Sequence, residues 1–236
     1  MAHLVKFTLF ARSEDLLDEW RQNFQALAPP EVLDRVTIIQ NSFEDLKTSF
    51  DCIVSPANSF GRFDGGFDQV LSDTLAPADD PTALTRTAQT ILYSQWLGYA
   101  PPGTCTLIPL QNTPCFPNSF NCKYIALCPT MRIPASVSWH KEIVYNCVWS
   151  LLAQIYRHND LAEKDPGLGL STITSVAMTG LATGIGCVSN KICARQTALA
   201  FAHFHDSVSH PEKWSNLSWR DIEELGSLNR RLPMDG

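Results

Sequence analysis

Short runs of β-branched and aromatic residues alternate with amphipathic segments along most of this chain. No other feature limits the fold as strongly. Repeated strand–helix alternation requires an open sheet with helices on both faces. The predicted strands are Leu4 to Ala11 ("LVKFTLFA"), Val36 to Ile39, "DCIV" ending at Val54, Thr104 to Leu110, Lys123 to Cys128 and Ser171 to Met178. Between them lie helical stretches. "EDLLDEWRQNFQAL" follows Ser13 as N-cap and places Leu16, Leu17, Trp20, Phe24 and Leu27 on one stripe. A second helix runs from Pro81 to Gly98, a third follows Ser138 as cap, and a fourth follows Ser189. With 236 residues, 44% of them hydrophobic, the chain can bury one sizeable core. The expectation is one α/β domain over residues 1–210. A C-terminal helical extension, residues 211–236, would pack on or near it, with Ser218 capping its helix.

Charge and cysteine usage narrow the function classes. The formal net charge is −6 and no Lys/Arg cluster is present, so a surface built to neutralise nucleic-acid phosphates is not expected. An anionic ligand would have to be held by backbone N–H groups and helix ends. No apolar stretch approaches the ~20 residues of a membrane helix. The N-terminus reaches charged residues too soon for a signal peptide and reads as a first strand. The eight cysteines form no C-x-x-C pair, and Cys52, Cys128, Cys147 and Cys193 sit in apolar runs. They read as reduced, buried residues of a cytoplasmic or nuclear protein.

Two strand ends carry unusual backbone freedom. The run "DCIV" gives way to "SPANSFGRFDGGFDQVL", and "STITSVAM" gives way to "TGLATGIGCVSNK". Ligands of open α/β sheets bind beyond the carboxyl ends of strands. Glycines there let backbone approach a ligand closely. Successive N–H groups make an anion-binding concavity, and a following helix N-terminus adds partial positive charge. Two such loops side by side would cradle a diphosphate without a lysine. Each loop taken alone is equally readable as a tight connection that binds nothing. Neither matches G-x-G-x-x-G or a P-loop.

"VSPANSFGRFDGGFD" resembles the first ligand loop of macrodomains, and "GLATGIG" resembles their second. Together with "CPTMRIP" these motifs look like a branch found in phage-tail-like, bacterial and fungal proteins, and the likeness spans roughly Val36 to Asp206. The resemblance implies a three-layer α/β/α macrodomain with a mixed central sheet. It implies ADP-ribose or a derivative as ligand, with an ADP-ribosylated protein as a further partner, and no cofactor or metal. Adenine would lie near Asn41, Ser42 and Phe43. The diphosphate would lie between a first loop containing Ala57, Gly65, Gly66 and Phe67 and a second comprising Ala182, Thr183, Gly184, Ile185 and Gly186. The distal ribose would lie near Asn58 and Asp68.

Asn58 matches the second Asn of the family's N-A-A-N; its structural alternative is an Asn closing its own turn. Asp68 stands ten positions later, the spacing of the catalytic Asp in hydrolytic MacroD-type members. There a carboxylate orients or activates water. Its alternative is a carboxylate favouring a helix dipole. Four positions on, where those enzymes carry a His, this chain has Ser72; it also has Ser55-Pro56 for the usual Asn-Ala and Ser42 for an adenine-contacting Asp. Asp64 reads as a turn residue, Cys187 as a small packing residue and Arg132 as a surface residue. His203 and His205, two positions apart on a helix, face different directions and make no zinc pair. The function implied is an enzyme that hydrolyses a group from the distal ribose: a phosphate, an acyl ester or an ester-linked protein carboxylate. The alternatives are a reader that binds without turnover and a scaffold that has lost the ligand. The poly(ADP-ribose) glycohydrolase branch is disfavoured, because no paired glutamates follow a Gly-rich loop.

Overall fold

The structure is a computed structural model that describes residues 5–230. Its sheet has six strands in the order β2-β1-β6-β3-β5-β4. They are β1 (Lys6–Ala11), β2 (Val36–Gln40), β3 (Cys52–Ser55), β4 (Thr106–Pro109), β5 (Tyr124–Leu127) and β6 (Ser175–Met178). Every pairing is parallel except β4 with β5, so the sheet is mixed with one antiparallel edge. Each strand falls inside or within one residue of its expected run. The last of those runs is the most trimmed, because Ser171 to Thr174 precede β6 as irregular chain held by Tyr124, Asn159 and Asp51.

Alternation along the strands divides the core in two. Phe7, Leu9, Val54, Ala126, Val176 and Met178 face one helical layer. This layer holds α1 (Glu14–Leu27), α5 (Ile143–Lys164) and α6 (Asn190–Ser209). Phe10, Ile53, Ile125, Leu127 and Ala177 face the other, which holds α3 (Gly66–Leu75) and α4 (Ala83–Trp96). The result is the expected α/β/α sandwich. Leu16, Leu17, Trp20 and Phe24 of α1 are buried as one stripe, as the periodicity requires. Short helices α2 (Pro30–Leu33) and α7 (Pro211–Trp214) and a 3-10 turn at Pro166–Leu168 were not anticipated. A final helix, α8 (Trp219–Arg230), starts after Ser218. Ser218 Oγ accepts from Asp221 N at 3.3 Å while Ser218 N donates to Asp221 Oδ2 at 2.8 Å, a reciprocal cap.

Two expected caps are corrected. Ser13 stands at the N-cap position of α1, but its side chain accepts no capping hydrogen bond. The third helix begins at Ile143, not after Ser138. Residues 137–142 are held elsewhere, since Val137 N donates to Gly186 O at 2.8 Å and His140 N to Val137 O at 2.8 Å. Gln196 of α6 supplies the cap instead: its Oε1 accepts from Tyr145 N at 3.0 Å, and its Nε2 donates to Lys141 O. α7 packs on α5 and α6, where Trp214 stacks on Trp149 at 5.4 Å and its Nε1 donates to Asp206 Oδ2 at 2.7 Å; residues 231–236 of the expected extension lie outside the described residues.

Candidate functional site

β3 and β6 are adjacent parallel strands, with Cys52 opposite Val176 and Ile53 opposite Ala177. Their carboxyl ends therefore open side by side, and the two glycine-bearing loops leave the sheet together. Between them lies a cleft of about 390 Å³. It brings together Ala57, Asn58, Gly65, Gly66, Phe67 and Asp68 from the first loop and α3. From the second loop it takes Ala182, Thr183, Gly184, Ile185 and Gly186.

The first loop is stitched to the strand beside it. Cys128 N donates to Ser55 O at 2.9 Å, Thr130 N to Ala57 O at 2.9 Å and Ser59 N to Met131 O at 3.0 Å, which extends the β3–β5 pairing beyond the strands. Asn58 closes the turn: its Oδ1 accepts from Phe60 N at 3.1 Å and Arg62 N at 3.3 Å, and its Nδ2 donates to Arg62 O at 2.8 Å. Asp64 pairs with Arg62 at the surface. Gly61 sits at φ +62, and a Cβ there would meet Leu92 at 2.9 Å, so this turn needs a glycine for both backbone and space.

Asp68 lies in the first turn of α3 and is only 7% exposed, yet it lines the cleft. Ser55, at the end of β3 and fully buried, donates its hydroxyl to Asp68 Oδ1 at 2.6 Å. Burial pushes the carboxyl pKa up to about 7. The Ser55 hydrogen bond pulls it down, and the negative charge of Asp64 adds to the rise. Ser72, one turn along α3, is buried and donates to Pro81 O at 2.9 Å, so its hydroxyl is committed to the α3–α4 connection.

The second loop is shaped differently. Ala182 and Cys187 both lie in the left-handed region, at φ 60 and 54. This conformation is uncommon outside glycine and concentrates at functional sites. Val188 N donates to Ala182 O at 3.0 Å and Cys187 N to Gly184 O at 2.9 Å. The N–H groups of Thr183, Gly184, Ile185 and Gly186 donate to no backbone acceptor among the described residues. The same holds for those of Gly66, Phe67 and Asp68 in the first turn of α3, as the geometry of any helix start requires. Two sets of free donors thus border one cleft. Among the described residues no group of three or more His, Cys, Asp or Glu is placed to hold a metal ion.

Ser42 and Phe43 are not brought into this cleft. Ser42 borders a separate open depression with Arg12 and Asn41, and its hydroxyl donates to Asp45 Oδ2 at 2.7 Å. The Phe43 ring is buried against Phe67 at 5.3 Å and Phe120 at 4.7 Å. Cys187, expected as a packing residue, is exposed, because the left-handed turn swings it out of the core. The other seven cysteines are free and buried. Arg132 is exposed and lies 5.9 Å from the centre of the Tyr99 ring.

Sequence reasoning did not place every lining residue in the site: Pro56, Arg62, Asp64, Thr130, Met131, Pro134, Thr179 and Gly180 also border the cleft. Met131 and Pro134 come from the segment after β5, as does Thr130, which is 1% exposed with an Oγ1 that has no hydrogen-bond partner among the described residues. A buried unpaired hydroxyl calls for a polar group of a ligand or a water. "PTMRIP" was noted as a motif, but only the tertiary pairing of Asn58 with Met131 carries it to the cleft.

No protein-family model matches the chain, and no curated protein matches it. Among solved structures, the chain is similar to a macrodomain from Oceanobacillus iheyensis with ADP. Identity is 16%, coverage is 80% of this chain and 90% of that one, and the TM-score is 0.48. It is also similar to that macrodomain with MES bound, at 15% identity, 78% and 85% coverage and a TM-score of 0.45. A mutant of it with ADPR shows 13% identity, 71% and 89% coverage and a TM-score of 0.43.

Proposed function

We propose that the chain binds ADP-ribose or a derivative in the cleft between the β3 and β6 loops and hydrolyses a group from the distal ribose. One observation carries this reading: two glycine-bearing loops with free N–H donors converge on a cleft that also holds the buried Asp68 carboxyl. The donors of the second loop and of the α3 start suit a diphosphate, without any lysine. The motif resemblance supplies the rest of the ligand and puts its distal ribose beside Asp68.

With a pKa near 7, Asp68 is ionised in a useful fraction at neutral pH and still basic enough to take a proton. In the step proposed, a water oxygen forms the new bond and its proton passes to Asp68. The new bond is to the phosphorus or acyl carbon; the bond from that atom to the ribose oxygen breaks, and Asp68 returns the proton to that oxygen. Ser55 keeps one carboxylate oxygen oriented. ADP-ribose-1″-phosphate, an O-acyl-ADP-ribose and a mono-ADP-ribosylated acidic protein are the candidate substrates.

A non-catalytic reader is the second reading, favoured by two observations. The Asn58 amide is engaged in its own turn, and Ser72 is turned to Pro81. That leaves Asp68 with Ser55 as its side-chain partner. Calorimetry with ADP-ribose tests the shared part: a one-to-one complex is expected, and no heat at millimolar ligand removes both readings. Product release from the three substrates separates them. Tight binding with no release from any of the three decides for the reader.

A further inference from the structure

A second cavity lies far along the sheet from the cleft, on the α1/α5/α6 face. It encloses about 220 Å³. Its floor is apolar: Phe7 of β1, Val32 of α2, Leu152 and Ile155 of α5 and Phe201 of α6. Its mouth is polar, bordered by Arg35, Tyr156, His205 and Ser209. Arg35 is half-buried, between α2 and β2. Among the described residues its guanidinium has no carboxylate partner, and the His205 ring has no hydrogen-bond partner. Arg35 thus sets a positive charge at the mouth of an apolar cavity, and the described residues offer its guanidinium no carboxylate.

We infer that this cavity is a binding site for a small amphipathic anion: a medium-chain carboxylate whose alkyl chain lies on the Phe7–Phe201 floor and whose carboxylate meets Arg35, with the His205 ring as a further donor. The charge at the mouth selects an anion over a cation. The cavity is of a size for a short to medium alkyl chain, and longer chains would protrude. Burial of the chain supplies affinity, and the bidentate guanidinium–carboxylate geometry supplies selectivity. The site shares no residue with the cleft, so it stands whether or not the cleft binds ADP-ribose.

Calorimetric titration of the full chain with octanoate, octanol and octylammonium tests the assignment. One octanoate per chain is expected, with at least about tenfold preference over octylammonium, and saturating ADP-ribose leaves the titration unchanged. Arg35→Gln removes the preference for octanoate while octanol binding persists. Val208→Trp, at the cavity wall on α6, blocks octanoate and octanol alike, with circular dichroism reporting that each variant is folded. Equal binding of octanoate and octylammonium overturns the inference, as does octanoate binding that survives a folded Val208→Trp variant, or no binding at all. Octanoate binding only after removal of residues 1–4 overturns it in favour of the chain's own start as occupant.

Discussion

The two glycine loops look alike in sequence and are built differently. The first is tied by backbone bonds to the segment after β5 and closed by side chains of its own. Asn58 bonds three backbone groups of its own turn, Arg62 pairs with Asp64, and Gly61 is fixed by its φ of +62 and by Leu92. The second is held from outside and from its ends. Val137 takes its Gly186 carbonyl, and Ala182 and Cys187 absorb the left-handed turns. A Cβ on Gly186 would come within 2.6 Å of Ala182 O, so packing demands that glycine. A Cβ on Gly184 would meet nothing within 4 Å, and no positive φ calls for glycine there. Within one loop, then, one glycine answers to the fold and its neighbour has no structural reason. An unexplained glycine bordering a cleft with free N–H groups is where close approach of a ligand becomes the physical reason.

The sharpest break of this comparison concerns what each loop does in turnover. If the first loop and α3 carry the chemistry and the second only binds, Asp68→Ala lowers turnover about 10²–10⁴-fold and changes ADP-ribose affinity only a few-fold. Turnover equal to wild type assigns the chemistry to another group. Next in size is Gly184→Val. The variant should melt with wild-type cooperativity and midpoint, yet bind ADP-ribose about 100-fold more weakly, since on the proposed reading its side chain enters the space of the diphosphate. Normal binding by a folded variant removes the second loop from the diphosphate site.

Gly186→Ala gives the opposite pattern within the same loop. Overpacking against Ala182 O is expected to cost about 1–3 kcal/mol, or a lowering of the melting midpoint by roughly 2–10 °C. An unchanged midpoint would show that the loop relaxes freely.

A smaller effect follows from Asp68 itself. Its pKa is raised from 3.8 to about 7, so between those values the folded state binds more protons than the unfolded state. Stability therefore falls as pH rises from about 4 to about 7 and levels off above. Asp68→Asn should remove this contribution and be more stable than wild type at pH 8, as denaturant titrations at several pH values would reveal. Turnover that depends on the ionised carboxylate rises over the same range, with a midpoint near 7. The smallest expected effect is that of salt. In the proposed complex backbone donors rather than exposed Lys or Arg hold the phosphates, so ADP-ribose affinity is expected to change by less than about threefold between low and moderate ionic strength. A steeper loss would point to surface cations such as Arg62.

Much of this was legible in the chain because it is local. Strand runs, the α1 stripe and the Ser189 and Ser218 caps depend on residues a few positions apart. Ser189 Oγ does accept from Ile192 N, at 3.3 Å. The α5 start was misplaced because its cap comes from Gln196, and the cap at Ser138 was pre-empted by the tie of Val137 to Gly186. Thr130 was missed for the same reason: strand pairing, not sequence proximity, carries it to the cleft.

What the sequence by itself determined is the α/β alternation, the separation of apolar faces and the two places where backbone could approach a ligand, since periodicity and glycine act over single elements. Only the tertiary structure decided that β6 inserts beside β3, which turns two distant loops into one cleft. It alone decided that Asn58 spends its amide on its own turn, that Ser42 and Phe43 stay outside the cleft, and that Asp68 is buried against Ser55. Solvent exclusion and pairing across the sheet set these properties. Both are sums over residues far apart in the chain, and no local pattern encodes them.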